Sequence, residues 1–232
     1  MSIDSMKTQR LLSNIAGLET FLEPIGVQLT GGPGLFRHIR DLPASEPEMS
    51  EAERRIWNEF GRECAVLVLD SSGFTRNTRD SGIINYLSCI VRLRDILREV
   101  FEDAGCISCR FSTDNAFAEF YTAPEALKAA YRAQKAVRDA GIDICSGCRM
   151  EVCIGIGYGR VLLSGNEGVF GDQMNLASKL GEDVAGKGEV LLTESAYLAL
   201  PESAREGFHR YSVTISDVDI TFYRMDLYCP SQ

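Results

Sequence analysis

The spacing of apolar residues divides residues 65–140 into strands and helices. A continuous apolar run that ends in Asp70 is typical of a buried central strand. Helical spacing then predicts a long amphipathic helix ended by Gly105, and alternation beyond it predicts a β-hairpin. A further helix begins at Pro124. The predicted bounds are 65–70 for the strand, about 82–103 for the first helix, 106–111 and 115–121 for the hairpin, and 124–140 for the second helix.

Shorter elements are predicted in the rest of the chain. Strand-like spacing at residues 150–158 leads to Gly159, across which residues 160–163 are predicted to pair back on that strand. The remaining predictions are a helix at 172–184, a strand at 189–192, a helix at 194–200 and two strands within 208–227. The order β-α-β-β-α-β is the ferredoxin-like split βαβ arrangement. We therefore predict an α+β fold, an antiparallel sheet with helices on one face.

The first sixty residues are predicted to form a helical extension. Apolar residues at helical spacing predict a helix near the N-terminus, and they are Leu11, Leu12, Ile15, Leu18 and Leu22. Glycine and proline at residues 29–34 interrupt the pattern, residues 41–47 have the composition of a linker, and a second helix is predicted at residues 50–60. We expect a helical N-terminal extension over residues 1–60 and a second domain over residues 61–232.

The charge balance bears on the partners of the chain. Its 232 residues carry a formal net charge of −9, whereas nonspecific nucleic-acid binding requires many lysines and arginines on one face. No nucleic-acid partner is therefore expected. No apolar run approaches the roughly 18 residues needed to span a bilayer. The N-terminal residues also lack the apolar core of a signal peptide, so we expect no membrane span and a cytoplasmic location.

The cysteines admit two interpretations. Eight are present, and in the cytoplasm they are expected to be reduced thiols. Two Cys-X-X-Cys pairs, Cys106 with Cys109 and Cys145 with Cys148, could also be interpreted as a four-thiolate zinc site. The gap between the pairs exceeds that of a usual zinc ribbon, and the predicted topology starts opposite edge strands with them, roughly 14 Å apart. The zinc interpretation is therefore the weaker one.

Two aspartates are predicted to lie side by side. Asp70 ends the first central strand and Asp114 falls in the hairpin turn, and the strands that carry them are neighbours in this topology. Close carboxylates repel each other unless a cation joins them. Oxygen ligands suit Mg²⁺ or Mn²⁺, which keep waters and share phosphate oxygens. Either aspartate alone is better explained as a cap or a surface charge, but the pair favours a two-metal site.

Polar residues at positions 170–180 form a second candidate locus. Asn175 and Lys179 are four residues apart and so share one face of the predicted helix, where both could contact a phosphate or a ribose oxygen. Periodicity alone favours a simpler interpretation, in which Lys179 is a solvated charge and Asp172 is an N-cap after Gly171.

Three ordered motifs resemble those of class III adenylate and guanylate cyclase catalytic domains. Residues 70–75, Asp-Ser-Ser-Gly-Phe-Thr, resemble the first metal motif of that family, and residues 110–114, Arg-Phe-Ser-Thr-Asp, resemble the second. Residues 170–179 resemble the third, and residues 189–194 are similar to the strand that follows it. The resemblance covers roughly residues 63–228. Three motifs in order are more specific than a lone glycine pattern.

The resemblance implies the metal and base contacts. Asp70 and Asp114 would bind two Mg²⁺ or Mn²⁺ ions per site, and Phe74 and Thr75 of the first motif would lie at the substrate. Asp172 occupies the position of the aspartate that accepts from the adenine amino group. These matches imply a nucleotide cyclase, most simply one that converts ATP into cyclic AMP and pyrophosphate.

The resemblance also implies the groups that act on the ribose and phosphates. Asn175 occupies the position of the ribose-orienting asparagine, Lys179 that of the arginine that steadies the transition state, and Arg110 that of the base-reading lysine. In the family these groups come from opposite subunits. A homodimer is therefore implied, with a nucleoside triphosphate bound between two copies of the chain.

Four departures from the family pattern leave alternatives open. Lys179 lacks the planar fork of arginine, Arg110 presents donors in a different geometry from lysine, and Thr113 replaces a usual glycine. No basic residue stands at 214–219, where the family often has a phosphate-binding lysine. A changed base-reading residue is compatible with a pyrimidine cyclase of the antiphage type. The changes at Arg110 and Lys179, with the missing C-terminal lysine, are compatible with a catalytically silent pseudocyclase that regulates by dimerising.

Overall fold

The computed structural model describes residues 25–26, 34–43, 45–71, 82–145, 148–165, 168–215 and 217–225. The strands are β1 (Ile25–Gly26), β2 (Gly61–Ser71), β3 (Ser108–Ser112), β4 (Asn115–Phe120), β5 (Asp143–Cys145), β6 (Cys148–Arg149), β7 (Val152–Leu163), β8 (Val169–Phe170), β9 (Val190–Thr193), β10 (Phe208–Ile215) and β11 (Val218–Met225). The N-terminal helix expected over residues 11–22 lies outside the described part of the chain.

The helices alternate with these strands. They are α1 (Leu35–Arg40), α2 (Glu46–Phe60), α3 (Ile83–Asp103), α4 (Ala123–Ala140), α5 (Asp172–Ser178) and α6 (Glu194–Leu198). A π-helical segment, Lys179–Val184, continues α5, and a 3-10 turn follows α6 at Glu202–Ala204. No helix among the described residues combines the length and the apolar character that crossing a membrane requires.

One large sheet organises the molecule. Its strands follow the order β1-β3-β4-β2-β7-β9-β11-β10, with β8 paired to β7. Only β7 and β9 run parallel among the described pairs of this sheet. The succession β2, α3, β3, β4, α4, β7 has the split βαβ order, and β2 lies between β4 and β7. The predicted α+β, ferredoxin-like fold class is therefore confirmed.

The central strand β2 is buried on both faces. Its alternate residues belong to two different apolar clusters, as strand geometry requires. The face towards α3 and α4 carries Ala65, Leu67 and Leu69. The opposite face carries Cys64, Val66 and Val68, which pack with Ala177 of α5. The prediction that helices cover one face of the sheet is thus wrong, because α5 covers the other.

Gly159 does not turn the chain. β7 is continuous and pairs antiparallel with β2 from Ser71 opposite Val152 to Gly61 opposite Leu162. The prediction that residues 160–163 pair back on residues 150–158 is therefore wrong. The reason lies in β2, which begins at Gly61, four residues earlier than its apolar run, and so offers these residues a partner strand.

The N-terminal helices pack against the end of β7. Leu35 of α1, Ile56 and Phe60 of α2 are buried together, with Leu162 of β7 beside them. Helix α2 begins four residues before the predicted position, with proline in its first turn, so it takes in the end of the predicted linker. Their apolar contacts join both helices to the sheet.

An aromatic contact also joins α1 to the segment that precedes α5. The Phe36 ring lies edge-on to the Phe170 ring of β8, with centroids 5.4 Å apart and an interplanar angle of 81°. Edge-to-face geometry is a favoured arrangement of aromatic pairs. The strand β8, which ends two residues before α5 begins, is therefore in contact with α1.

The cysteine pairs are arranged differently from the prediction. β5 and β6 form a separate two-stranded sheet, so the expectation that the two pairs start opposite edges of one sheet is wrong. Cys148 is disulfide-bonded, which corrects the expectation of a reduced thiol there and removes one thiolate from the zinc interpretation. The described free cysteines are Cys64, Cys89, Cys106, Cys109 and Cys153.

Glycines let α5 and the π-helical segment lie with their backbone directly on the sheet. A Cβ atom on Gly155 of β7 would lie 2.1 Å from the carbonyl oxygen of Ala177, and one on Gly157 would lie 2.5 Å from that of Gln173. On the helical side, a Cβ on Gly181 would lie 2.8 Å from the carbonyl oxygen of Val68. All three positions therefore require glycine.

We predict that Gly155→Ala lowers the free energy of unfolding by about 3 kcal/mol or more, since overpacking against rigid backbone forces the helix away from the sheet. Urea denaturation followed by circular dichroism would measure this loss. Gly186→Ala is the matched control, because its Cβ would first meet the flexible Glu189 carboxylate at 3.2 Å. Equal small losses in both variants would contradict the close contact.

Candidate active site

The two predicted metal aspartates lie together at one edge of the sheet. β2 and β4 are paired with Leu69 opposite Ala116, so Asp70 at the end of β2 and Asp114 in the β3–β4 turn flank the same end of the ladder. Burial raises the pKa of Asp70, and the charge of Asp114 adds to this effect, as expected of two carboxylates that lie close together. The sequence prediction that these side chains are neighbours is consistent with this geometry.

Ser71 and Tyr86 fix the position of Asp114. The Ser71 hydroxyl donates to Oδ2 of Asp114 at 3.2 Å, and its oxygen lies 2.8 Å from the hydroxyl of Tyr86 on α3. Tyr86 is fully buried. Because Tyr86 is fixed in the core, it restrains the Ser71 hydroxyl, and that hydroxyl in turn restrains the Asp114 carboxylate.

Asp70 carries an electrostatic cost in the metal-free protein. Burial raises its pKa to about 7, and the nearby charges of Asp114 and Glu182 add to this effect. The backbone N–H of Ser71 offsets only part of it. A positive charge at this edge would reverse the balance, since an opposite charge favours the ionised carboxylate.

Glu182 is a third carboxylate at this edge. Oε1 of its side chain accepts a hydrogen bond from Nδ2 of Asn115, at 3.1 Å, across the gap between the π-helical segment and the turn. Burial, then Asp183 and Asp114, raise its pKa. The sequence analysis missed Glu182, because the π-helical segment shifts the register of side chains that an α-helical pattern predicts.

The donor set at this edge suits a hard cation. Asp70 and Asp114 offer carboxylate oxygens, which Mg²⁺ and Mn²⁺ prefer. Among the described residues, no group of three or more His, Cys, Asp and Glu side chains could by itself hold a metal ion. Ions bound by two aspartates would therefore complete their shells with water or phosphate oxygens, which Mg²⁺ readily accepts.

The turn that presents Asp114 has a strained backbone. Thr113 has φ of +50°, in the left-handed region that β-branched residues avoid. Two hydrogen bonds hold it there: Nη2 of Arg94 donates to its carbonyl oxygen, and its own hydroxyl donates to the Ser112 carbonyl at 2.7 Å. The threonine at a usual glycine position thus restricts the turn, and Arg94 supports it.

Arg110 is paired with a buried acid. Its Nη2 donates to Oε1 of Glu119 at 3.1 Å, and the Glu119 side chain is fully inaccessible to solvent. On its other side, the guanidinium abuts Gly168, where a Cβ atom would lie 3.1 Å from Nη1. The structure therefore places Arg110 against the segment that leads into α5. Glu119 was not identified from the sequence.

The remaining predicted residues that the structure describes lie on α5 and at the start of the π-helical segment. Asp172 is exposed in the first turn of α5, Asn175 is exposed one turn on, and Lys179 is half-buried where the π-helical segment begins. In the described part of the chain, no hydrogen bond or ion pair joins Asn175 or Lys179 to Asp70 or Asp114. Phe74 and Thr75 of the first motif lie outside the described residues, so their predicted substrate contacts stay predictions.

Comparison with known proteins bears on the fold. No protein-family model and no curated protein sequence matches this chain. Among solved structures, an adenylate/guanylate cyclase/hydrolase from Silicibacter pomeroyi is 22% identical, with a TM-score of 0.60 over 71% of this chain and 96% of that one. The adenylyl cyclase CyaB from P. aeruginosa is 16% identical, with a TM-score of 0.57 over 74% of this chain and 97% of that one.

A third solved structure extends the likeness to a dimeric protein. The non-canonical dimeric guanylyl cyclase domain of the RhoGC fusion protein from Blastocladiella emersonii is 15% identical, with a TM-score of 0.56 over 72% of this chain and 97% of that one. At these identities the likeness concerns the fold. The chain therefore has the fold of the adenylate and guanylate cyclase catalytic domains, and the predicted resemblance is confirmed at that level.

Proposed function

We propose that this chain is a class III nucleotide cyclase, which converts a nucleoside triphosphate, ATP in the first place, into a 3′,5′-cyclic monophosphate and pyrophosphate. The observation that carries the proposal is the pairing of Asp70 with Asp114 at one edge of a cyclase-type sheet. A half-buried pair of like charges is costly unless it binds a cation. Such a pair is a candidate functional site for that reason.

The aspartates would hold two Mg²⁺ or Mn²⁺ ions, which when bound activate the ribose 3′-hydroxyl and neutralise the leaving pyrophosphate. The chain itself supplies position. Ser71 and Tyr86 hold Asp114 through hydrogen bonds. At the same edge of the sheet, Asn115 donates a hydrogen bond to Glu182. Their hydrogen bonds orient the carboxylates before substrate arrives, so less reorganisation is needed during the reaction.

A homodimer would complete the site. Asn175 and Lys179 make no contact with the aspartates within the described part of one chain, and Asn175 is exposed on α5. We propose that a second copy presents its Asn175 to the ribose and its Lys179 to the phosphates. The dimeric guanylyl cyclase domain with this fold supports the assembly.

The base would be read by Asp172 and Arg110. Asp172 at the start of α5 can accept from an exocyclic amino group, and the guanidinium of Arg110 can only donate. Adenine and cytosine both present an amino group beside a ring acceptor, so a pyrimidine triphosphate is the second candidate substrate.

The division between residues 60 and 61 and a cytoplasmic location stay predictions of the sequence.

A pseudocyclase is the second candidate function. At the β10–β11 turn, where the family often has a phosphate-binding lysine, the Thr214 hydroxyl donates to the Asp219 carboxylate at 2.6 Å. A carboxylate repels phosphate at that point. Together with Lys179 in place of arginine, this arrangement favours a domain that binds and dimerises without turnover.

A nucleotide panel would separate these candidates. The purified dimer would be incubated with ATP, GTP, CTP or UTP and Mn²⁺, and products would be identified by mass spectrometry. One cyclic nucleotide with pyrophosphate would establish the enzyme and its base. No product from any of the four in a verified dimer would leave the pseudocyclase.

We predict that Asp70→Asn stabilises the metal-free protein while it removes turnover. The folded pKa of Asp70 is about 7 against an ordinary value of 3.8. Between these values the folded state binds the extra proton, so the stability of the wild-type protein should fall as pH rises from about 4 to above 7. The variant should show a flatter profile and a higher melting temperature at pH 8 in EDTA.

The same variant should lose at least about a hundredfold in turnover, since altering even a supporting residue of a metal site costs 10- to 100-fold. Differential scanning fluorimetry with and without Mn²⁺ would show no metal-dependent stabilisation. Asp95→Asn, on the exposed side of α3, is the control and should leave both measurements unchanged. Full activity in Asp70→Asn would exclude the metal site.

We predict that Lys179→Arg raises turnover severalfold, on the order of three- to tenfold, without changing the preferred base. Arginine can contact phosphate oxygens through two parallel N–H groups, which lysine cannot do. Steady-state kinetics with the preferred triphosphate would measure the change. A fall in kcat would show that the surrounding pocket is shaped for lysine.

A further inference from the structure

The Arg110–Glu119 pair is the least exposed of the ion pairs along the described chain. The Glu119 side chain is fully inaccessible and that of Arg110 is 20% exposed, whereas the other pairs are more open to solvent. A buried carboxylate without a partner is strongly destabilising. Glu119 stands at the centre of the sheet, opposite Val66 of β2, so it cannot turn towards water.

Both oxygens of Glu119 are occupied. Oε1 accepts from Nη2 of Arg110, and Oε2 accepts from the hydroxyl of Ser108, which lies directly opposite Glu119 in the β3–β4 pair. Burial raises the pKa of Glu119, while Arg110 and Ser108 lower it. The charge of this carboxylate therefore depends on two donors, and its position is fixed by two strands.

Arg110 is held at one end only. One of its N–H groups is bound to Glu119, and in the described part of the chain no hydrogen bond engages the others. The guanidinium is planar and rigid, and it is attached to its side chain through Nε and bound to Glu119 through Nη2, so these two points together restrict the directions of the remaining four donors. The Nη1 donors lie beside Gly168, four residues before α5 begins at the proposed base-reading residue Asp172.

We infer that Glu119 is a positioning residue for base selection: through its ion pair it fixes the plane of the Arg110 guanidinium, so that only a base with acceptors at matching positions is bound well. The inference rests on the proposed function, in which Arg110 contacts the base. A guanidinium free to swivel would accommodate acceptors in several arrangements, whereas a fixed one rejects those that leave its buried donors unpaired.

The test compares Glu119→Gln with the wild-type dimer. Glutamine keeps the shape and one acceptor but loses the charge that tethers Arg110. Steady-state kcat/KM would be measured for ATP, GTP, CTP and UTP with Mn²⁺. We expect the ratio between the best and the second-best base to fall at least tenfold. KM of the best base should account for the loss, with kcat changed less than threefold.

Two further variants separate positioning from a merely structural role. Ser108→Ala removes one bond to Glu119 but leaves the ion pair, so it should fold and lower selectivity by a smaller factor of about two to five. Glu189→Gln breaks the Arg224–Glu189 pair, whose nitrogen and oxygen lie 3.2 Å apart and which shares no residue with the Arg110–Glu119–Ser108 group, and should leave selectivity unchanged. Lower melting temperatures with unchanged base ratios in Glu119→Gln and Ser108→Ala would overturn the inference.

Binding offers a readout that needs no turnover. The 3′-deoxy triphosphates of the four bases lack the reacting hydroxyl, and calorimetry would give their Kd values. A wild-type protein that makes no cyclic product but discriminates among these analogues, and loses that discrimination in Glu119→Gln, would refute the enzyme and support the inference. Equal Kd ratios in the two proteins would overturn it.

Discussion

The backbone contact between α5 and β7 is the constraint on which the rest of the site depends. Because Gly155, Gly157 and Gly181 carry no Cβ, the helix lies at a distance from the sheet that ordinary side chains would forbid. This contact brings Glu182 within hydrogen-bond distance of Asn115, the residue that follows Asp114 at the β3–β4 turn. The same helix carries Asp172 and Asn175, and the π-helical segment that continues it begins with Lys179. The height of the helix above the sheet therefore sets the position of both candidate loci.

Burial of charge is the second theme of the structure. Three acids at one edge of the sheet, Asp70, Asp114 and Glu182, influence one another, and burial is the largest cause of the raised pKa values of Asp70 and Glu182. Glu119 is buried more deeply but has its own cation. The contrast is informative. A compensated buried acid can serve as a structural anchor, whereas an uncompensated pair is a place where a ligand cation gains binding energy.

Sequence alone predicted the split βαβ succession of the central elements, because period-two and period-3.6 spacing identify strands and helices and that succession limits the topologies. The juxtaposition of Asp70 with Asp114 followed from that order. Glu119 could not be found in this way, since a glutamate on one strand face resembles a solvent-facing residue until the opposite helix is placed. Alternating glycines at residues 155–159 were the available sign that a helix lies there, because glycine in a strand interior often marks close backbone approach.

The errors in the sequence analysis share a cause. The hairpin expected at Gly159 and the one-sided helical layer both came from treating each segment by its own pattern. The structure of residues 160–163 is instead determined by pairing with a distant strand, because β2 extends back to Gly61 and pairs with β7 along its whole length. The π-helical register that places Glu182 likewise depends on contact with the sheet and not on the local sequence.

The strained turn at Thr113 determines when the conformational entropy of the Asp114 carboxylate is lost. A glycine there would adopt the left-handed conformation without strain but would leave the turn flexible. Binding of a ligand at Asp114 would then be opposed by the entropy lost in ordering the turn. A threonine, held by Arg94, incurs the unfavourable conformation once, when the chain folds. The Asp114 carboxylate is then already ordered before any ligand arrives, because the folded chain holds the unfavourable backbone conformation whether or not the site is occupied.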